Sequence, residues 1–349
     1  MKYLNILLVF IPVTIAGKMM GFSDTLLFAC SSLAIIPLAG LMGTSTDVIS
    51  CYSGQKVGGL LNATFGNATE LIIAFIAMKE GLFDVVKASL AGSVIGNILL
   101  VLGMSMFAGG LKYKIQKFNR NSINITSSML LFALLGLSIP AIFMHTLPES
   151  SINTQFEGLS VMIALLMLLI YCMQFVFSFV THRSLYEETI VSADEEEPKM
   201  KLPAAIGMLI VSTVCIAVLS EIFVGTIEPM AESIGLHKTF VGIILVPIIG
   251  NAAEHSSAII MAYKNKMNAA VEISLGSSLQ IMLFVVPVLI LLSLFFTPMS
   301  IVFTPFELVA LTASVLIANR VAADGESNWL EGLQLVAVYI MIGAAFFFV

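Results

Sequence analysis

Uninterrupted apolar runs of about 20 residues recur along nearly the whole chain, and a run of that length is what an α-helix needs to cross the hydrocarbon core of a bilayer. Eleven can be marked, at roughly 4–20, 23–43, 57–78, 83–108, 121–144, 157–180, 202–223, 238–262, 268–293, 300–319 and 329–348. They are continuous, whereas strands of a membrane barrel alternate apolar and polar residues over shorter stretches, so the chain is expected to be all-α. Composition agrees: 58% of the 349 residues are hydrophobic and 11% are charged, against about 25% charged in an average soluble domain. Water-soluble, disordered and disulfide-scaffold classes are thereby excluded. The net charge of −6 gives no basic face for nucleic acid. Cys30, Cys51, Cys172 and Cys215 lie in or beside apolar runs without CxxC spacing, which reads as packing residues rather than a metal or redox site.

Eleven crossings divide the basic residues unevenly. Lys2, Lys56, Lys112, Lys114, Lys117, Arg120, Arg183, Lys199, Lys201, Lys264, Lys266 and Arg320 fall on one side; Lys18, Lys79, Lys87 and Lys238 fall on the other. The positive-inside rule then places the N-terminus in the cytoplasm and the C-terminus outside, in a multi-pass protein of the plasma membrane. The first run, with Lys2 and Thr14-Ile15-Ala16, has some features of a signal peptide, but its basic region is short and a second run follows at once. It is read as a span. The polar segment 181–201, with Asp194, Glu195, Glu196 and Glu197 in a row, reads as a solvated cytoplasmic linker or as a patch that attracts cations.

The chain carries an internal repeat. GGLLNATFGNATE at 58–70 and GIILVPIIGNAAE at 242–254 share G-N-A-[TA]-E at an offset of 184, which also aligns Gly92-Ser93 with Gly276-Ser277. Asp47 and Gly54 match Glu228 and Gly235 at an offset of 181. The expected organisation is an extra first helix (1–22), a five-helix repeat (23–180), the acidic linker (181–201) and a second five-helix repeat (202–349). An odd number of spans per half inverts the second copy. Inverted repeats are a hallmark of secondary transporters, with the site near the midplane.

Glu70 and Glu254 sit in matching apolar runs, where a charged residue costs about 2.5–3.5 kcal/mol. Inert packing has no need of two such acids. Each follows Gly-Asn-Ala, at Gly66-Asn67 and Gly250-Asn251, and Pro247 precedes the second. Glycine and proline loosen a helix and free carbonyls, as in the broken helices that line ion sites. Asn67 and Asn251 add amide oxygens, and the next runs carry Ser93 and Asn97 in one half, Ser277 and Gln280 in the other. An all-oxygen set suits a hard cation such as Ca²⁺. Two facing acids carry either protons or a divalent cation, not both, which is the logic of an antiporter with one shared site. Asp47, Glu221 and Glu228 lie near span ends and read equally as entrance residues or as solvated helix ends. His255 sits about 100° round the helix from Glu254 and would not share its ion; it reads as a hydrogen-bonding residue of the bundle, with proton relay as the alternative.

GGLLNATFGNATELI at 58–72 and GNAAEHSSAIIMAYKNKM at 250–267 resemble the two signature repeats of the cation/proton exchanger family, within the calcium/cation antiporter superfamily. GSSLQIMLFVVPVLIL at 276–291 and DGESNWLEG at 324–332 resemble its later segments, so the likeness spans nearly the whole chain. The resemblance implies Ca²⁺/H⁺ exchange by alternating access. Glu70 and Glu254 would be the metal-binding and proton-coupling acids, Gly66 and Gly250 would offer carbonyls, and Asn97 and Gln280 would complete the set. Ca²⁺ is then a transported substrate, and no cofactor is implied. Related sodium/calcium exchangers carry a further acid where this chain has the neutral Gln280, which favours protons over sodium. The run at 194–197 matches the family's cytoplasmic acidic helix. Thr44-Ser45-Thr46-Asp47 departs from the family's Ala-Thr-Glu, which weakens an entrance role for Asp47. Family members form oligomers, but no homo-oligomer interface motif is readable here. The rival readings are a Na⁺/Ca²⁺ exchanger and a cation channel, though pore acids usually come from symmetric subunits. A metalloenzyme would need clustered histidines, and His145, His182, His237 and His255 are scattered.

Overall fold

The computed structural model describes residues 4–144, 152–182 and 200–348. Asp194, Glu195, Glu196 and Glu197 lie outside the described residues. Helix dominates. A 3-10 segment at Leu4–Val9 leads into α1 (Phe10–Met20), followed by α2 (Asp24–Phe65, kinked at Gly54, whose φ 76° and ψ 165° are not helical), α3 (Ala68–Lys79), α4 (Phe83–Ile95), α5 (Leu102–Lys112), α6 (Arg120–Met144) and α7 (Ile152–Val176). Then come α8 (Leu202–Ile234), the single turn α9 (Lys238–Phe240), α10 (Val246–Gly250), α11 (Ala252–Tyr263), α12 (Met267–Gln280), α13 (Val286–Ser293), α14 (Pro305–Val321) and α15 (Trp329–Phe348). Two two-residue strands, β1 (Gln116–Lys117) and β2 (Glu326–Ser327), pair antiparallel.

The apolar runs fold mainly as helix, yet they are not eleven uniform spans. Among the described residues seven helices are long and apolar enough to cross a membrane, and a pair bent by 62°, Lys238–Gly250 and Ala252–Tyr263, makes an eighth if it is one span. The other runs differ for physical reasons. Leu4–Met20 is short. The run at 57–78 is broken between α2 and α3, and the run at 300–319 becomes a 17-residue helix. α8 outlasts its expected end at 223, because the mixed stretch that follows still has helical periodicity until Gly235 closes it with a left-handed cap (φ 72°).

Four short segments widen to π-helix: Gly96–Val101, Phe177–Thr181, Val241–Leu245 and Ile281–Val285. Pro247 and Pro287 explain two of them. Each lacks the N–H that the carbonyl four residues earlier would accept, and each follows a π segment by two residues, where the ladder changes register. Backbone irregularities recur at the repeat offsets. Gly54 and Gly235 both have positive φ (76° and 72°), as do Gly81 (78°) and Asn265 (63°). Asparagine is among the few residues that tolerate this region.

The chain forms two compact units, each drawing helices from both halves of the sequence. Unit 1 takes the described residues within Met1–Ser89, Ile190–Glu254 and Phe346–Val349; unit 2 takes those within Leu90–Thr189 and His255–Ala345. In unit 1, α2 packs along α8, with Phe28 stacked on Phe223 at 5.0 Å and Ile35, Met42 and Met78 buried. In unit 2 the core holds Ile98, Leu99, Leu102, Met106, Leu130 and Leu137. Lipid removes the hydrophobic drive between helices, so small residues at close crossings matter more there. α5 and α15 cross in this way. A Cβ on Gly103 would lie 2.9 Å from the Gly332 carbonyl oxygen, and one on Gly332 would lie 2.6 Å from that of Gly103.

Candidate cation site

Glu70 and Glu254 occupy equivalent places, each in the first turn of a helix that resumes after a break. The breaks have one geometry. Asn67 (φ −102°, ψ 22°) and Asn251 (φ −98°, ψ 7°) both leave helical dihedrals for the bridge region. Before each break the chain ends a helix, at Phe65 and at Gly250, and the last carbonyls of a helix lack N–H partners from its own turns. After each break the helix N-terminus favours a carboxylate. Each break therefore sets an acid beside a helix C-terminal end, as in the discontinuous helices of transporters.

Unit 1 gathers these groups. Asn67 and Asn251 are fully buried and Glu70 is 8% exposed, while Glu254 is half-buried. The Gly250 backbone lies against the Glu70 carboxyl: a Cβ built on Gly250 would sit 3.8 Å from Glu70 Oε1. Oε2 of Glu70 is buried and accepts no hydrogen bond from the described residues. A buried carboxylate oxygen in that state is costly unless a proton or a cation occupies it. Asn67 begins α3 without capping it through its side chain. Asn251 donates from its backbone N–H (2.9 Å) and from Nδ2 (3.1 Å) to the Pro247 carbonyl, which turns its amide oxygen the other way. Gly66 lies at the first break, where its N–H donates to Asn62 O at 2.9 Å. Among the described residues no three His, Cys, Asp or Glu side chains cluster as metal ligands. What unit 1 offers is two carboxylates with amide and backbone oxygens, a set that suits a hard cation.

Unit 2 holds a second polar group. Asn97, 1% exposed and on the π segment Gly96–Val101, donates from Nδ2 to Ser277 Oγ at 3.0 Å. Its Oδ1 pairs with His255 Nε2 at 3.2 Å; the amide oxygen only accepts, so Nε2 carries the proton there. His255 is thus a hydrogen-bonded member of the bundle. Ser93 is buried in α4, and Gln280 closes α12 at the start of a π segment. The three-residue chain was not legible in the sequence, because its members lie 158 and 180 positions apart.

The remaining candidates lie on α2 and α8. Asp47 on α2 and Glu221 on α8 are exposed on their helices. Glu228 is paired with Lys238 at 3.2 Å, which ties the end of α8 to the start of the bent span. All four cysteines are free thiols.

A bundle of apolar helices with two acids at matched helix breaks defines an ion-transporting membrane protein. The chain belongs to the sodium/calcium exchanger protein family, whose model matches residues 23–180 and 204–348. It is 46% identical over 341 residues to the Ca(2+)/H(+) antiporter ChaA of Bacillus subtilis (97% of this chain, 96% of that one). It is 44% identical over 363 residues to a Ca(2+)/H(+) antiporter of Synechocystis (99% and 97%). Among solved structures, native YfkE matches with a TM-score of 0.85 at 42% identity, over 99% of this chain and 100% of that one. The H+/Ca2+ exchanger CAX shares the fold (TM-score 0.71, 13% identity, 99% and 91% covered).

Proposed function

We propose that this chain is a secondary antiporter that exchanges cytoplasmic Ca²⁺ for external H⁺, with Glu70 and Glu254 as the acids that carry either ion. The observation that carries the reading is the meeting of the two repeated motifs in unit 1. Gly250, from the second, lies against the carboxyl of Glu70, from the first, and Glu254 follows Gly250 by four residues. An empty pair of close carboxylates in a dry site takes up protons to relieve repulsion, and a divalent cation neutralises the same charge and expels them. Ca²⁺ and H⁺ thereby exclude one another, and alternation of the site between two faces turns exclusion into exchange. The relatives named Ca(2+)/H(+) antiporters support the ion pair, and the neutral Gln280 supports protons over sodium. The two separately matched segments support the reading of two five-helix halves. The N-terminus is assigned to the cytoplasm on the charge distribution of the loops.

The test is ⁴⁵Ca²⁺ uptake into proteoliposomes under an imposed pH gradient, with sodium offered separately. Wild type is expected to take up calcium when protons flow the other way, and Glu70→Gln and Glu254→Gln are each expected to lose uptake by at least about a hundredfold, about 2.7 kcal/mol. Sodium-dependent uptake would move the assignment to a Na⁺/Ca²⁺ exchanger. Full uptake in both variants would remove the paired acids from the pathway.

A further inference from the structure

We infer that one end of unit 2 is a docking surface for the headgroups of anionic phospholipids. Three connecting segments are tied together there by polar contacts that the transport site does not use. Gln116, 2% exposed, donates from Nε2 to the Ala262 carbonyl at 2.9 Å and to Asn265 Oδ1 at 3.0 Å. Lys112 Nζ donates to the Tyr263 carbonyl at 3.2 Å and lies 4.2 Å from the centre of the Tyr263 ring. Phe118 N–H donates to Gly325 O at 3.0 Å, Asn119 N–H donates to Asn268 Oδ1 at 2.8 Å, and β1 pairs with β2 beside them.

The result is a fixed ledge, and its exposed positions are mainly basic. Lys112, Lys114, Lys117, Arg120, Lys264 and Lys266 are all exposed. Against them stand exposed Asp324 and Glu326, which Lys117 already engages at 3.2 Å. A sorting signal for membrane insertion needs only a number of charges in loops. It does not need them held on one hydrogen-bonded surface. Apolar and aromatic side chains share that surface: Ile115 is 58% exposed, Tyr263 54% and Trp329 44%. Aromatic side chains beside cations suit the level where headgroups meet acyl chains, and basic surfaces at that level attract anionic lipid. The proposal needs only that this end of unit 2 meets a membrane surface, which either orientation of the chain provides.

Trp329 is the only tryptophan and lies on the surface in question, so it reports on its own lipid neighbours. The protein is placed in phosphatidylcholine nanodiscs containing either acyl-brominated phosphatidylglycerol or acyl-brominated phosphatidylcholine, and quenching of Trp329 is titrated against mole fraction. One lysine beside an anionic headgroup is worth about fivefold in association. Wild type is therefore expected to prefer phosphatidylglycerol by about fivefold, less at high salt, with inorganic phosphate failing to compete. Lys114→Gln, Lys264→Gln and Lys266→Gln combined should reduce the preference, and arginine at the same three positions should restore it. Equal quenching by both lipids in wild type overturns the proposal even if the triple glutamine variant fails to fold. So does a preference left unchanged by the glutamines in a folded protein.

Discussion

Two glycines in matching motifs face different neighbours, and that difference separates stability from transport. A Cβ at Gly66 would lie 2.5 Å from the Asn62 carbonyl oxygen, the acceptor of Gly66's own N–H bond at 2.9 Å. The backbone must shift to admit it, so Gly66→Ala is expected to cost about 1–3 kcal/mol, as overpacking usually does. A Cβ at Gly250 would meet only the Glu70 carboxyl, at ordinary contact distance. Gly250→Ala should therefore leave stability within about 0.5 kcal/mol while adding a methyl group beside the Glu70 carboxyl. Thermal melts in detergent, paired with the KM for calcium uptake, distinguish the two. The expected pattern is a lowered Tm for the first variant, and a raised KM with an unchanged Tm for the second. A Gly250→Ala protein with wild-type KM would place the ion elsewhere.

Elements in this bundle are positioned by backbone approach as much as by side-chain fit, and the α5–α15 crossing is the sharpest instance. Gly332→Ala would drive a methyl group into the Gly103 carbonyl and the neighbouring backbone, with a loss of about 1–3 kcal/mol expected. Gly207 on α8 has open space around it, and Gly207→Ala should be neutral or gain up to about 1 kcal/mol from helix propensity. Equal melting temperatures for the two variants would mean that the crossing yields without cost. Sequence reveals these features unevenly. Apolar length and the repeated Gly-Asn-Ala-x-Glu mark the spans and both breaks, because hydropathy and helix-breaking residues act locally. Pro247 and Pro287 signal two π segments for the same reason. Gly96–Val101 has no proline after it, and its asparagine finds partners only through the tertiary fold. The left-handed turn at Asn265 is hidden because its counterpart is Gly81. The β1–β2 ladder is too short to leave a period, and nothing local announces that Gln116 reaches Ala262.

The parity of membrane crossings decides whether the two chain ends face the same side. It turns on α14, whose 17 residues extend about 25 Å against a hydrocarbon core of about 30 Å. The non-helical stretch at 298–304 supplies the remainder. Bare backbone is tolerated at membrane depth only when protein buries and satisfies it. Here Met299, Ile301 and Phe303 are buried. Met299 N–H donates to Ser293 Oγ (2.9 Å), Ile301 N–H to Ser160 Oγ (3.2 Å) and Thr304 N–H to Glu307 Oε2 (2.8 Å). Thr304 and Glu307 complete a capping box at the helix start, so the acid is used locally. α14 with its leader is therefore expected to cross, which makes three crossings after Lys266 and puts the C-terminal end opposite to it. Single cysteines test this in a background with Cys51, Cys172 and Cys215 replaced by alanine. In intact cells a membrane-impermeant maleimide should label Lys79→Cys and Phe348→Cys, and should reach Lys266→Cys only after permeabilisation. If Phe348→Cys is protected together with Lys266→Cys, α14 does not cross and the second half has an even number of spans. The two halves would then no longer mirror one another, and the inverted-repeat basis for alternating access would be lost. Labelling of Lys266→Cys alone in intact cells would reverse the whole orientation, and with it the direction of calcium movement.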